Sequence, residues 1–366
     1  MPIYDFEKQL DLVLKEYNGG FQKKINEIKE TLSSADNVIL WGYGEIGKSM
    51  HHFLTDNHIN VKAICDSHLA SGIGYDGVPL IYPDELKNYN KMRIVICSIA
   101  YYDEILAQIL GMGIPFNAIV SLKKYFATIS LKEFEKHIPG YEWAFNYFDD
   151  DLSKYIVISR IKSCLLAEPI EHAQNFFPSV SYRFSGNEIF VDAGTLHGDT
   201  INQFVLHTSG RYNHIYGFEP HPKHCARAQE RFKSKNNIEI LPYALSDANA
   251  ELNFYFAELG SSAAHSHGAN IVQTITIDSF FQDKEPPTFI KMNIEGGEQN
   301  ALKGAEKILA DVTPRLSLIA GHKISDIYLL PQTILKHNPS YKMCLCQRSE
   351  IFGGTMLHAS VKESLI

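Results

Sequence analysis

Twice in this chain a short apolar strand runs straight into a glycine loop and then into a helix start. The first copy reads "NVILWGYGEIGKSM" and the second "EIFVDAGTLHGDT". After each, another apolar segment stops on an acid, "VKAICD" at Asp66 and "HIYGFE" at Glu219. Strands that alternate with helices in this order close as parallel sheets, because parallel neighbours need a long crossover between them. The expected fold class is therefore α/β, with two doubly wound, Rossmann-like domains. A length of 366 residues suits two such domains.

The rest of the pattern sets the boundaries. Over residues 1–34, Phe6, Leu10, Val13, Tyr17, Phe21, Ile25, Ile28 and Leu32 recur every three or four positions. That spacing predicts a helical segment with one apolar stripe, broken into two helices at Asn18, Gly19 and Gly20. The stripe suits a dimer or partner contact, or packing on its own domain. Residues 35–125 form the first small Rossmann-like domain and residues 126–185 a mostly helical connector. The acidic run Asp149, Asp150, Asp151 reads as a solvated helix start, where negative charge is favourable. Residues 186–366 carry seven further strand candidates, "EIFVD", "HIYGFE", "IEIL", "TFIKMN", "RLSLIA", "YKMCLCQ" and "TMLHA".

Composition excludes several classes. Hydrophobic residues are 45% and charged residues 21%, the balance of a globular chain. A formal net charge of -8 argues against electrostatic capture of nucleic acid. No apolar run approaches the roughly 20 residues of a membrane span. The acidic start "MPIYDFEKQL" lacks a signal core, so a cytoplasmic location is expected. The six cysteines make no CxxC pair and read as reduced, buried thiols.

The two glycine loops suit different ligands. In the first, Gly42, Gly44 and Gly47 would let backbone amides approach a pyrophosphate, and Asp66 could take ribose hydroxyls. Glu45 inside that loop opposes phosphate charge, only partly offset by Lys48, so the alternative is a turn that binds nothing or binds something other than NAD. In the second, Asp192 ends the strand itself. A carboxylate there is poorly placed for a phosphate and well placed for a cation. S-adenosylmethionine (SAM) carries an ammonium and a sulfonium and no phosphate. Gly194, Gly198 and Thr200 open the backbone and start the helix. Glu219 can accept from both hydroxyls of a ribose, and Asp247 in "ALSD" can read the adenine edge.

These segments, with "TIDSF", "IKMNIEGGEQNALKGA" and "TMLHA", resemble in order the motifs of the FkbM-type methyltransferases. The resemblance covers residues 186–366 and implies a class I SAM-methyltransferase-like domain of seven strands, one antiparallel near the end. It implies SAM as cofactor, with Asp192, Gly194, Gly198, Glu219 and Asp247 as cofactor positions. It also implies methylation of a hydroxyl. The first domain looks like the small Rossmann-like domains beside sugar-modifying acyl- and methyltransferases. That likeness rests on its glycine loop, "VKAICD" and "GVPLIYPDEL".

An alcohol must lose its proton as the methyl arrives, which calls for a base or a metal. His322 and Glu295 are the candidates, with Asn293 beside them. Asn293 stands where the family usually has aspartate. A neutral amide is a poor ligand for a hard cation, so no metal role is carried over to it and divalent-metal dependence stays open. His265 and His267 suit substrate contact or a plain loop, and "HPKHC" suits a helix start rather than a metal site. The expected activity is O-methylation of a sugar or glycan-type hydroxyl, in polysaccharide biosynthesis. A degenerate, scaffolding methyltransferase fold and an NAD-dependent sugar oxidoreductase are the alternatives. The expected partner is a small molecule or glycan, with homo-oligomerisation open.

Overall fold

The structure is a computed structural model and describes residues 5–66, 72–73, 77–98, 102–120, 131–166, 168, 170, 184–256, 262–264, 270–349 and 352–361. The chain divides into two compact units. One comprises Glu7–Glu135 and Ser159–Pro169; the other comprises Met1–Phe6, Lys136–Ile158 and Ile170–Ile366.

The N-terminal unit holds β1 (Asn37–Trp41), β2 (Val61–Cys65), β3 (Gly72–Ile73), β4 (Pro79–Ile81), β5 (Met92–Ile96) and β6 (Ile119–Val120). They form one sheet in the order β3-β4-β2-β1-β5-β6. All pairings are parallel except the β3–β4 hairpin. The near-continuous apolar runs of β1, β2 and β5 match strands covered on both faces. Asn18–Gly20 do not break the first helical segment as expected. A wide π-helical turn, Tyr17–Phe21, links the helices Phe6–Glu16 and Gln22–Ser33. Such a turn absorbs the glycines without ending the helix. Leu32 and Ile28 pack on a core of Val38, Leu40 and Leu54, so this part of the stripe covers its own domain.

The C-terminal unit holds β7 (Ile189–Ala193), β8 (His214–Phe218), β9 (Ile238–Leu241), β10 (Ala244–Leu245), β11 (Glu251–Phe256), β12 (Ser262–Ala264), β13 (Asn270–Ile275), β14 (Phe289–Met292), β15 (Arg315–Ile319), β16 (Lys342–Gln347) and β17 (Thr355–Ser360). Seven of them make the main sheet, in the order β16-β17-β15-β14-β7-β8-β9. These are the seven strands expected from the sequence. β17 is antiparallel to both neighbours. The chain leaves β7 towards β8 and β9, then returns to β14 on the other side of β7. This reversal opens a crevice at the carboxyl ends of β7 and β14, where sheets of this kind bind ligands. Beneath it, Phe190 stacks on Phe204 at 4.3 Å and on Phe289 at 5.1 Å between ring centroids.

A second sheet, β10-β13-β11-β12, was not foreseen. Two of its strands have only two and three residues, too short for a periodicity to register. Asp150 accepts the backbone N–H of Ser153 at 2.7 Å, as a cap on the helix Asp151–Leu166. The six cysteines are free thiols, five buried and Cys344 partly buried. Among the described residues no helix is long and apolar enough to cross a membrane.

Candidate functional site

The tips of β7, β8 and β14 enclose a cavity of about 350 Å³. Gly194, Glu219, Tyr243, Leu245, Asn293, Glu295 and Lys323 are among the residues that line it. The small sheet adds Leu252, Phe254 and Thr274.

Gly194 is required by its neighbours. Its φ is +76°, and a Cβ there would lie 1.9 Å from the carbonyl oxygen of Asn293. The loop after β7 thus lies against the chain leaving β14, and the Asn293 N–H donates to the Ala193 carbonyl at 3.0 Å. Gly198 is a structural glycine and does not line the cavity. Its φ is +84°, and a Cβ would meet the Phe232 ring at 2.3 Å. Thr200 sits in the helix Asp199–His207, also away from the cavity wall.

Asp192 departs most from its expected role. It is fully buried and does not line the cavity. Its carboxylate pairs with the Lys291 ammonium at 2.7 Å. Adjacent strands in register bring the two together, Asp192 on β7 opposite Lys291 on β14. Burial pushes the Asp192 carboxyl up from the ordinary carboxylate range, against the pull of the Lys291 charge. An internal lysine therefore stands where a ligand cation was expected.

Glu219 does reach the cavity. It is buried, and its two carboxylate oxygens accept the backbone N–H groups of Leu196 and His221, each at 2.8 Å. Burial raises its carboxyl and these two amides pull it back, with a net rise. Each oxygen keeps a second lone pair for a hydroxyl. Asp247 is exposed and outside the cavity wall; Ser246, which lines the wall, donates to it at 3.2 Å. Leu245 and Ser246 line the cavity where Asp247 was expected, and the Ser246 N–H is committed to the Ile275 carbonyl at 3.1 Å.

Asn293 and Glu295 are both on the cavity wall. Glu295 has φ +55°, a left-handed conformation that a non-glycine residue holds only when its surroundings enforce it. His322 lies behind it rather than on the wall, with Nε2 3.7 Å from Glu295 and Nδ1 3.0 Å from Glu298. Burial works against a charged imidazole, but the Glu298 contact and the charges of Glu298, Glu295 and Asp326 outweigh it. The His322 pKa is raised. Burial raises Glu295 while His322 pulls it down, with a net rise. Glu298 also accepts the Ile294 N–H at 2.8 Å, and its pKa is lowered despite burial.

Lys291 went unread in the sequence, though it had a signal, a lysine inside the apolar run "FIKM" where burial demands a partner. Glu298 follows the same strand as Glu295, and the structure turns it to His322 rather than to the cavity. His265 and His267 lie outside the described residues. In "HPKHC", His221 caps the helix Pro222–Phe232 by accepting the Lys223 N–H.

In the first glycine loop, Gly42 donates to the Cys65 carbonyl at 2.8 Å, and the Tyr43 N–H turns to Asp66 at 3.4 Å. The Tyr43 side chain is buried, its hydroxyl 2.8 Å from His51 Nδ1. Gly44 is exposed at the helix start, and Gly47 packs beneath Gly42.

A seven-stranded, doubly wound sheet whose glycine loop and acid-tipped second strand face one cavity defines the class, an α/β domain of the methyltransferase type. Residues 192–336 match the model of the methyltransferase FkbM domain, so the C-terminal region carries an FkbM methyltransferase domain. Residues 34–120 match the model of the C2185-like N-terminal domain. Among solved structures, the chain is similar to methyltransferase FkbM from Methylobacillus flagellatus KT, with TM-score 0.64 and 20% identity. That match covers 97% of this chain and 100% of the other, and it shows the fold. Fibrillarin from Aeropyrum pernix with natively bound SAM gives TM-score 0.31 and 13% identity over 48% of this chain and 66% of that one. A SAM-dependent methyltransferase from Aquifex aeolicus gives 0.29 and 12% over 48% and 82%. Similarity that weak carries no argument. Comparison with curated proteins finds no match.

Proposed function

We propose that the C-terminal domain transfers a methyl group from SAM to a hydroxyl of a sugar or glycan-type acceptor. The observation that carries the cofactor assignment is Glu219. It is a buried carboxylate on the cavity wall, anchored through both oxygens by backbone amides and able to accept from a vicinal diol. Two carboxylates, Glu219 and Glu295, face the cavity against one lysine, Lys323, a balance that favours a cationic ligand over a phosphate. Apolar walls at Phe218, Leu245 and Leu196 suit a flat heteroaromatic ring. The residues present therefore fit SAM: Glu219 at the ribose, the Phe218 and Leu245 side chains against the adenine, and the Gly194 loop along the remainder.

When bound, SAM supplies a methyl group already activated by its sulfonium. What remains for the protein is alignment of the acceptor and removal of its proton. Glu295 is the carboxylate on the wall near Asn293 and Lys323, and it takes the proton. His322 holds Glu295 anionic from behind, and Glu298 holds His322. Asn293, Asn300 and Lys323 give the rim hydrogen-bonding groups suited to a polyol. Asn293 orients a hydroxyl without taking its proton.

Calorimetry with S-adenosylhomocysteine (SAH) tests the cofactor, and transfer of labelled methyl to a panel of glycans tests the acceptor. Glu219→Gln is expected to weaken SAH at least tenfold. Unchanged affinity in that variant, or no SAH binding by the native protein, defeats the proposal.

A further inference from the structure

A lysine in the middle of a buried strand has to be explained by what it touches. Lys291 has 2% of its side chain exposed and Asp192 none. Beyond the pairing with Asp192, its ammonium donates to the carbonyls of Ala193 at 3.1 Å and Gly194 at 2.9 Å. Ala193 and Gly194 are cavity-lining residues at the point where β7 ends. One buried cation thus joins the tip of β14 to three oxygens at the tip of β7.

We infer that Lys291 is a positioning residue: it occupies the place against Asp192 that a ligand cation would otherwise take, and it fixes the loop carbonyls that shape the cavity wall. The charge of Asp192 is answered inside the protein. Asp192 therefore acts by holding the Lys291 ammonium in place. The acids presented to a bound ligand are Glu219 and Glu295. This assignment rests on reading the cavity as the SAM site and explains how its wall keeps its shape.

The test compares Lys291→Met, Asp192→Asn and the double variant for thermal midpoint, SAH affinity and hydrogen exchange of the 194–196 amides. Lys291→Met strands a buried carboxylate, so its midpoint should fall. The double variant removes both charges and should regain most of that midpoint. Its SAH affinity should stay at least tenfold below native, and its loop amides should exchange faster, because the clamp on the carbonyls is gone. Recovery of native affinity and exchange in the double variant would reduce Lys291 to a counter-ion and overturn the inference. Asp192→Asn weakening SAH with midpoint and exchange unchanged would also overturn it, by placing Asp192 on the ligand. If the native protein fails to bind SAH, the cofactor reading falls. The exchange rates still decide the clamp: faster in the double variant upholds it, unchanged removes it.

Discussion

His322 stands between two carboxylates, and their charges decide what it does. Its raised pKa keeps it cationic over a wider range than a free imidazole. A cation 3.7 Å away lowers the Glu295 carboxyl against the rise that burial imposes. Proton removal by Glu295 needs the anion, so activity falls as pH drops through a value above the ordinary 4.5. His322→Gln removes the restraining charge, and the acid limb of the pH–rate profile should move to higher pH. Most of the rate should survive on the alkaline plateau. A uniform loss on the order of 100-fold at every pH would instead make His322 the base. The His322 contribution to stability has its own window. It is fully present below about 6.5, the unfolded imidazole value, and is lost as pH rises through the raised folded value.

At the scale of elements, glycines show where segments touch. Gly198 begins the helix Asp199–His207, and the Phe232 ring at the end of Pro222–Phe232 fills the space a side chain would need. Gly198→Ala adds a clash to an unfavourable φ and should cost about 2 kcal/mol or more in denaturant unfolding. Adding Phe232→Leu should recover part of that loss, because the clash is with the ring. If the double variant is no better than the sum of the singles, the contact is not the cause. The Phe190, Phe204 and Phe289 stack sets the floor of the sheet. Phe190→Ala should destabilise by about 3–5 kcal/mol, measurable by chemical unfolding.

For the whole molecule, two glycine loops with similar strings have different surroundings. The first turns the Tyr43 amide to Asp66 and buries the Tyr43 ring with His51, so a donor useful to a pyrophosphate faces inward. The second opens on a cavity with Glu219 on its wall. SAH should therefore raise the thermal midpoint and NAD should not. Gly44→Val should leave the SAH shift intact. A saturable NAD shift abolished by Gly44→Val would restore the oxidoreductase alternative.

The seven strands of the main sheet, and the strand ends where its cavity lies, were legible in the sequence. Apolar runs bounded by glycine and acid are local patterns, and the order of crossovers restricts how they assemble. Glu219 belongs to that legible part because a strand end and a carboxylate are adjacent in the chain. The small sheet was not legible as a sheet: two of its strands have only two and three residues and exist through their partners, and the two six-residue strands, β11 and β13, went unread beside them. The fate of Asp192 was decided by tertiary structure. Residues 192 and 291 meet only when β7 and β14 align in register, and that alignment makes the acid a buried partner of lysine. The His322 arrangement is of the same kind, three side chains from two separated loops and a helix start. Local sequence determines which segments become strands and where their ends fall. Which charges cancel across those ends depends on through-space distances of a few ångströms, and only the assembled sheet sets them.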